Sequence, residues 1–145
     1  MKFIQSAKNP QIKQWKKLLT RKERDKTGLF LAEGYHLVEE GLKADRIQHI
    51  IIAEDQELPR NLDYGPTPIT VVTKEIMKEL SDTETPQGII AVCWQERTGQ
   101  GEINGSAFLL LDAVQDPGNL GTLIRTADAA GIDAVIAGPG TVDIY

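Results

Sequence analysis

A single cysteine, Cys93, leaves this 145-residue chain unable to form an internal disulfide. No stretch approaches the ~20 consecutive apolar residues of a membrane span. The opening residues, MKFIQSAKNPQIKQWKK, hold no apolar core of the kind a secretory leader carries. Disulfide-stapled, membrane-spanning and exported classes are therefore set aside, and a cytoplasmic protein is expected. Aromatic residues make up only 6% of the chain, too few to support a broad base-stacking platform. The two histidines, His36 and His49, lie on different predicted elements with no cysteine or carboxylate cluster at metal-ligand spacing, so no metal is expected. Neither G-x-G-x-x-G nor G-x-x-x-x-G-K-[ST] occurs, which argues against a dinucleotide fold or a P-loop.

Charge is present but unevenly spread. The net charge is −5, yet residues 1–26 carry nine basic side chains against Glu23 and Asp25, a local +7. A phosphate backbone responds to the local field, so a basic arm on an acidic body can bind RNA. A solvated helix face accounts for the same charges equally well.

Asn9-Pro10 reads as an N-cap followed by proline at the first helical position, predicting a helix over residues 9–25 with Ile12, Trp15, Leu18 and Leu19 on its apolar face. Beyond it, LFLAEG predicts a strand ending at Gly34, and YHLVEEGLKA a helix with Leu37, Val38 and Leu42 inward. IQHIIIA, residues 69–72 and GIIAVCWQ read as further strands, and Thr73 as the cap of a short helix reaching Leu80. Strands alternating with helices imply an α/β fold in which residues 1–97 form an αβα sandwich. Residues 98–106, rich in glycine, read as a linker. Residues 107–138 then predict one βαβ unit with parallel strands: AFLLLDAV, a DPGN turn, a helix ended by Gly131, and AVIAG. Two parallel strands and one helix leave a sheet face uncovered, so residues 107–145 are expected to open a larger domain.

Taken on their own, Asn119 reads as a helix cap and Arg125 as a surface ion-pair partner of Asp128. The longer string is more specific. D-x-V-x-D-P-G-N-x-G-T-x-x-R-T-A-D-A-x-G, running from Asp112 to Gly131, closely resembles motif 1 of the SpoU (SPOUT) RNA 2′-O-ribose methyltransferases. Ser6-x-x-Asn9-Pro10, Arg24, Gly28-x-Phe30-x-x-Glu33-Gly34 and Thr85-Pro86-Gln87-Gly88 are similar to that family's substrate-binding domain, an αβα sandwich like certain RNA-binding ribosomal proteins.

The resemblance implies an enzyme that moves a methyl group from S-adenosylmethionine to a ribose 2′-OH of ribosomal or transfer RNA. It implies catalytic roles for Asn119 and Arg125, places Glu33 in the RNA-binding domain's signature, and implies a homodimer with an α/β-knot catalytic domain. The cofactor pocket of the family comes from later motifs, so residues 1–145 alone are expected to be inactive. Lys13, Lys16, Lys17, Arg21 and Arg24 are the candidate phosphate contacts. The alternative is a non-catalytic RNA-binding module that uses the sandwich alone. Cys93 reads as a small core hydrophobe, Trp15 as core, and Trp94 as core or rim.

Overall fold

In a computed structural model describing residues 1–96 and 103–145, the chain divides into two compact units, 1–96 and 97–145. The linker read at residues 98–106 lies partly, at 98–102, outside the described residues; residues 103–107 belong to no helix or strand.

The first unit is a five-stranded sheet covered by helices on both faces. Its elements run β1 (Lys2–Ile4), α1 (Pro10–Lys17), α2 (Arg21–Thr27), β2 (Leu29–Glu33), α3 (Tyr35–Lys43), β3 (Ile47–Ala53), β4 (Ile69–Val72), α4 (Lys74–Leu80) and β5 (Ile89–Trp94). The strand order is β1-β4-β3-β5-β2, parallel at β1/β4 and β4/β3 and antiparallel at β3/β5 and β5/β2.

The alternation of strand side chains divides the core between the two faces. Ile51, Ala53, Val72, Ile90 and Val92 meet Ile12, Trp15 and Leu18 of the α1 segment and Ile76, Met77 and Leu80 of α4 on one face. Ile50, Ile89, Ala91 and Cys93 meet Val38 and Leu42 of α3 on the other. Both faces of β3 and β5 are thus buried, which explains why these strands read as continuous apolar runs. Thr70, the buried polar residue among those described, is satisfied by His49 Nε2 at 2.8 Å. His49 also stacks obliquely on Trp15, with ring centroids 4.9 Å apart. Burial holds the His49 pKa below its usual value, with the nearby Lys2 charge acting in the same direction. Burial pushes the Cys93 thiol up to about 11, so it stays protonated and unreactive at neutral pH.

Four features differ from the sequence reading. The helix expected over residues 9–25 is two helices broken at Leu18 to Thr20. Thr20 adopts an extended backbone, and its hydroxyl donates to Lys17 O at 2.8 Å. Arg24 Nη1 donates to Leu18 O at 3.0 Å, so carbonyls freed by the break find partners. The strand β1 was not anticipated, because three residues with only Ile4 buried carry no legible alternation. Leu37, expected inward, is half exposed, whereas Val38 is fully buried. In the second unit, the strands read as buried are only partly so, with Phe108 and Leu110 exposed.

That second unit comprises β6 (Phe108–Leu111), α5 (Pro117–Ala129) and β7 (Ala134–Ala137), with β6 and β7 parallel as expected for a βαβ unit. Leu120 and Ala127 are the buried positions of α5. Asp133 anchors the start of β6, accepting backbone N–H bonds from Ser106 at 2.7 Å and Ala107 at 3.0 Å; these bonds hold its carboxyl below the usual range. Among the described residues, no helix is long and apolar enough to cross a membrane.

Candidate functional site

In the second unit, the DPGN segment belongs to the helix rather than to a separate turn. Pro117 takes the first helical position, where its missing N–H costs nothing, and Asp116 is the cap, its Oδ1 accepting the Asn119 N–H at 2.6 Å. The capping role considered for Asn119 therefore falls to Asp116. The Asn119 side chain is left exposed, with no hydrogen bond among the described residues.

Arg125 is also exposed, and its partner is not Asp128. Its Nη2 donates to Thr122 Oγ1 at 3.3 Å. The guanidinium lies back along the helix, toward the N-terminal turn, as long helical side chains tend to do. Gly121 makes room for it: a Cβ at that position would stand 3.2 Å from Arg125 Nη1. Asn119, Thr122 and Arg125 follow one another at i+3 spacing, so an amide, a hydroxyl and a cation form a ladder on the solvent side of α5.

The loop that delivers this ladder is constrained. Ala113 has a left-handed backbone, φ 52°, a costly conformation for a residue with a Cβ. Gly138 N–H donates to Leu111 O and Val142 N–H to Val114 O, both at 2.8 Å, so the segment after β7 is laced to the β6–α5 loop.

Within the first unit, considered by itself, two groups stand out. Of the five cations proposed for phosphate, Lys13 and Lys17 pair with no carboxylate among the described residues, as does Lys22. Lys16 pairs with Glu79 at 2.7 Å and Arg21 with Asp25 at 3.6 Å; both pairs are exposed and easily exchanged for a phosphate. Arg24 is the exception, partly buried and bonded to Leu18 O.

Glu33 is a hub within the protein. Its carboxylate accepts from Ser81 Oγ at 2.6 Å, the Gln87 N–H at 2.9 Å and Thr83 Oγ1 at 3.2 Å. Gly34 beside it has φ +107° and faces Gln87, whose Oε1 would lie 2.7 Å from a Cβ there. The Glu33-Gly34 and Thr85-Pro86-Gln87-Gly88 strings, far apart in sequence, are thus two halves of one loop clasp. Glu33 therefore holds loop 81–87 in place. Glu33→Ala is expected to lower unfolding stability by about 1–3 kcal/mol, the usual cost of removing a charged acceptor with several donors. Urea denaturation checks this, and an unchanged midpoint would show that the clasp contributes nothing.

The polar cleft between α1, α2, β2 and β3 was not foreseen, because its lining comes from four separated segments. Its one local signal is Thr20-x-x-Glu23, a capping-box spacing that marks the start of α2.

Comparison with known proteins connects the two units. Residues 9–91 match the family model for the MRM3-like substrate binding domain, and residues 106–145 that for the SpoU rRNA Methylase family. The chain is 49% identical over 146 residues to the 23S rRNA (guanosine(2553)-2'-O)-methyltransferase RlmP of Bacillus subtilis, covering 100% of this chain and 58% of that protein. It is 34% identical to human mitochondrial rRNA methyltransferase 3, covering 87% of this chain and 32% of that one. Among solved structures, an RNA 2'-O ribose methyltransferase superposes with a TM-score of 0.81 at 34% identity, over 99% of this chain and 57% of its own. The AdoMet-bound rRNA methyltransferase from Sinorhizobium meliloti gives 0.80 at 30% identity, over 98% and 56%. The chain thus spans somewhat more than half the length of the bacterial relative. With the substrate-domain match covering residues 9–91 and the motif 1 region continuing into the second model, the chain belongs to the SpoU rRNA methylase family and carries its MRM3-like substrate-binding domain.

Proposed function

We propose that this chain supplies the RNA-recognition domain and the opening of the catalytic domain of an rRNA 2′-O-ribose methyltransferase acting in the cytoplasm. The observation that carries this reading is the exposed Asn119, Thr122 and Arg125 ladder on the helix that follows β6, in a family whose relatives carry 2'-O-methyltransferase names. Residues 1–97 serve as the RNA-binding domain, residues 98–106 as the linker, and residues 107–145 as the start of the catalytic domain.

Arginine stays protonated in proteins, which disfavours it as a plain general base. In this reading its guanidinium grips a phosphate or ribose oxygen near the target and stabilises negative charge developing on the 2′-oxygen. Thr122 holds the guanidinium in place, and the free amide of Asn119 orients the ribose. S-adenosylmethionine, when bound, supplies the methyl group. The cation, hydroxyl and amide of α5 suit phosphate and ribose oxygens, whereas a cation is a poor neighbour for a sulfonium. They are therefore assigned to the RNA side, and the donor's contacts to other parts of a full-length, homodimeric protein.

The test is methyl transfer by the full-length protein from labelled S-adenosylmethionine to a ribosomal RNA transcript. Label in the RNA is the expected result. A full-length protein that binds the transcript but leaves it unlabelled would favour a non-catalytic RNA-binding module instead.

A further inference from the structure

The break between α1 and α2 opens a cleft of about 490 Å³ in the first unit, against β2 and β3. Trp15 and Leu18, each 3% exposed, line it with apolar surface from the core. Gln11 and Gln14 of α1 and Gln48 of β3 line it as well, and Lys17 and Lys26 bring two cations from the two helices.

Two details separate this cleft from an ordinary surface dent. Gln48 sits at a β-bulge: the β3/β5 register slips between Ile47, opposite Cys93, and His49, opposite Val92. A bulge adds a residue that has no cross-strand partner and re-aims its side chain, and here that residue lines the cleft. Moreover, the Gln14 and Gln48 amides make no side-chain hydrogen bond among the described residues, and Lys17 makes no ion pair there. Glu23, a half-buried carboxylate, also lines the cleft and pairs with the exposed Lys26 at 3.5 Å, a contact long enough to be exchanged for a phosphate.

We propose that this cleft is a binding site for one unpaired nucleotide of an RNA strand, with Gln14 and Gln48 reading the base edge and Lys17 and Lys26 holding the flanking phosphates. The proposal rests on the RNA-binding reading above and deepens it. Carboxamides offer both donor and acceptor, as base edges do, while lysines act as point charges for phosphate. Bases in a duplex are stacked and paired, so sequence-specific RNA recognition works mainly on unpaired nucleotides that can leave the stack. Most of the cleft lining also comes from the +7 segment, residues 1–26, where the local field concentrates RNA.

The experiment uses the chain as it stands and fluorescence anisotropy with a short labelled single-stranded RNA, the duplex of the same sequence, and free nucleoside monophosphates as competitors. Four proteins are compared: wild type, Gln14→Ala, Gln14→Ala/Gln48→Ala, and Lys13→Ala/Lys22→Ala, whose charges lie outside the cleft. Gln14→Ala alone is included because it changes only an exposed helix position and leaves the bulge intact. The double glutamine variant is expected to bind single-stranded RNA about tenfold more weakly, with an unchanged salt slope and unchanged duplex affinity. Gln14→Ala is expected to show part of that loss. Wild-type affinity in both glutamine variants, with weakened binding in the lysine variant, overturns the cleft and leaves the RNA-binding reading standing. Preference for the duplex, or monophosphates binding as tightly as the strand, also overturns it. A wild-type chain that binds no form of RNA overturns both readings.

Discussion

Arg125→Ala in the full-length protein is expected to lower methyl transfer by about 10²- to 10³-fold, the usual cost of losing one preorganised charge at a developing oxyanion. The side chain is exposed and, among the described residues, hydrogen-bonded to Thr122 alone, so its removal disturbs neither the Leu120 and Ala127 contacts of α5 nor the Asp116 cap. The loss should therefore appear as turnover, with melting temperature unchanged. Arg125→Lys separates charge from shape. Lysine keeps the cation but cannot present the planar fork, so most of the defect should remain. Full turnover in the lysine variant would show that point charge suffices, and full turnover in the alanine variant would remove Arg125 from the chemistry.

The second large effect belongs to the basic segment. Lys13→Ala/Lys17→Ala/Lys22→Ala removes three cations that are not committed to ion pairs among the described residues. If each meets a phosphate, RNA affinity at low salt should fall by about one to two orders of magnitude, and the log–log salt slope should become shallower by roughly 2–3. Arg24→Ala should behave differently. Its bond to Leu18 O closes the end of α1, so the expected loss is in stability and the salt slope should change little. A triple variant with the wild-type slope would mean that the +7 segment is a solvated surface.

The two outcomes would bear on different parts of the sequence, and these were not equally legible. Strands β3 and β5 were readable because burial on both faces leaves uninterrupted apolar runs, and the short helix α4 because Thr73 both precedes it and caps it through Ile76 N–H at 3.4 Å. The break at Thr20 was masked by continuing helix-forming residues. Helix propensity is weak enough to yield when Leu18 is buried in the core and Thr20 starts a second helix. On α3, Leu37 and Val38 are adjacent and equally apolar, so only the packing decides that Val38 faces the sheet.

The candidate site shows the same division. The motif from Asp112 to Gly131 pointed to Asn119 and Arg125 as residues, but not to their arrangement. That depends on a rotamer running back over Gly121 to Thr122, a contact invisible at the level of residue spacing. Glu33 was legible as part of a signature, but its place at the centre of a loop clasp was not. Its partners Ser81, Thr83 and Gln87 lie about fifty residues away, joined to it only by the fold.

The central claim, that the α5 ladder serves chemistry at a ribose oxygen, is tested most directly by locating the methyl group on RNA treated with the full-length protein. Nuclease digestion with mass spectrometry of the nucleosides, run beside alkaline hydrolysis, gives the position. A 2′-O-methylated nucleoside and an alkali-resistant linkage at that residue are expected, both lost with Arg125→Ala. A methyl group on a base, with the backbone still cleaved by alkali at that residue, would contradict it.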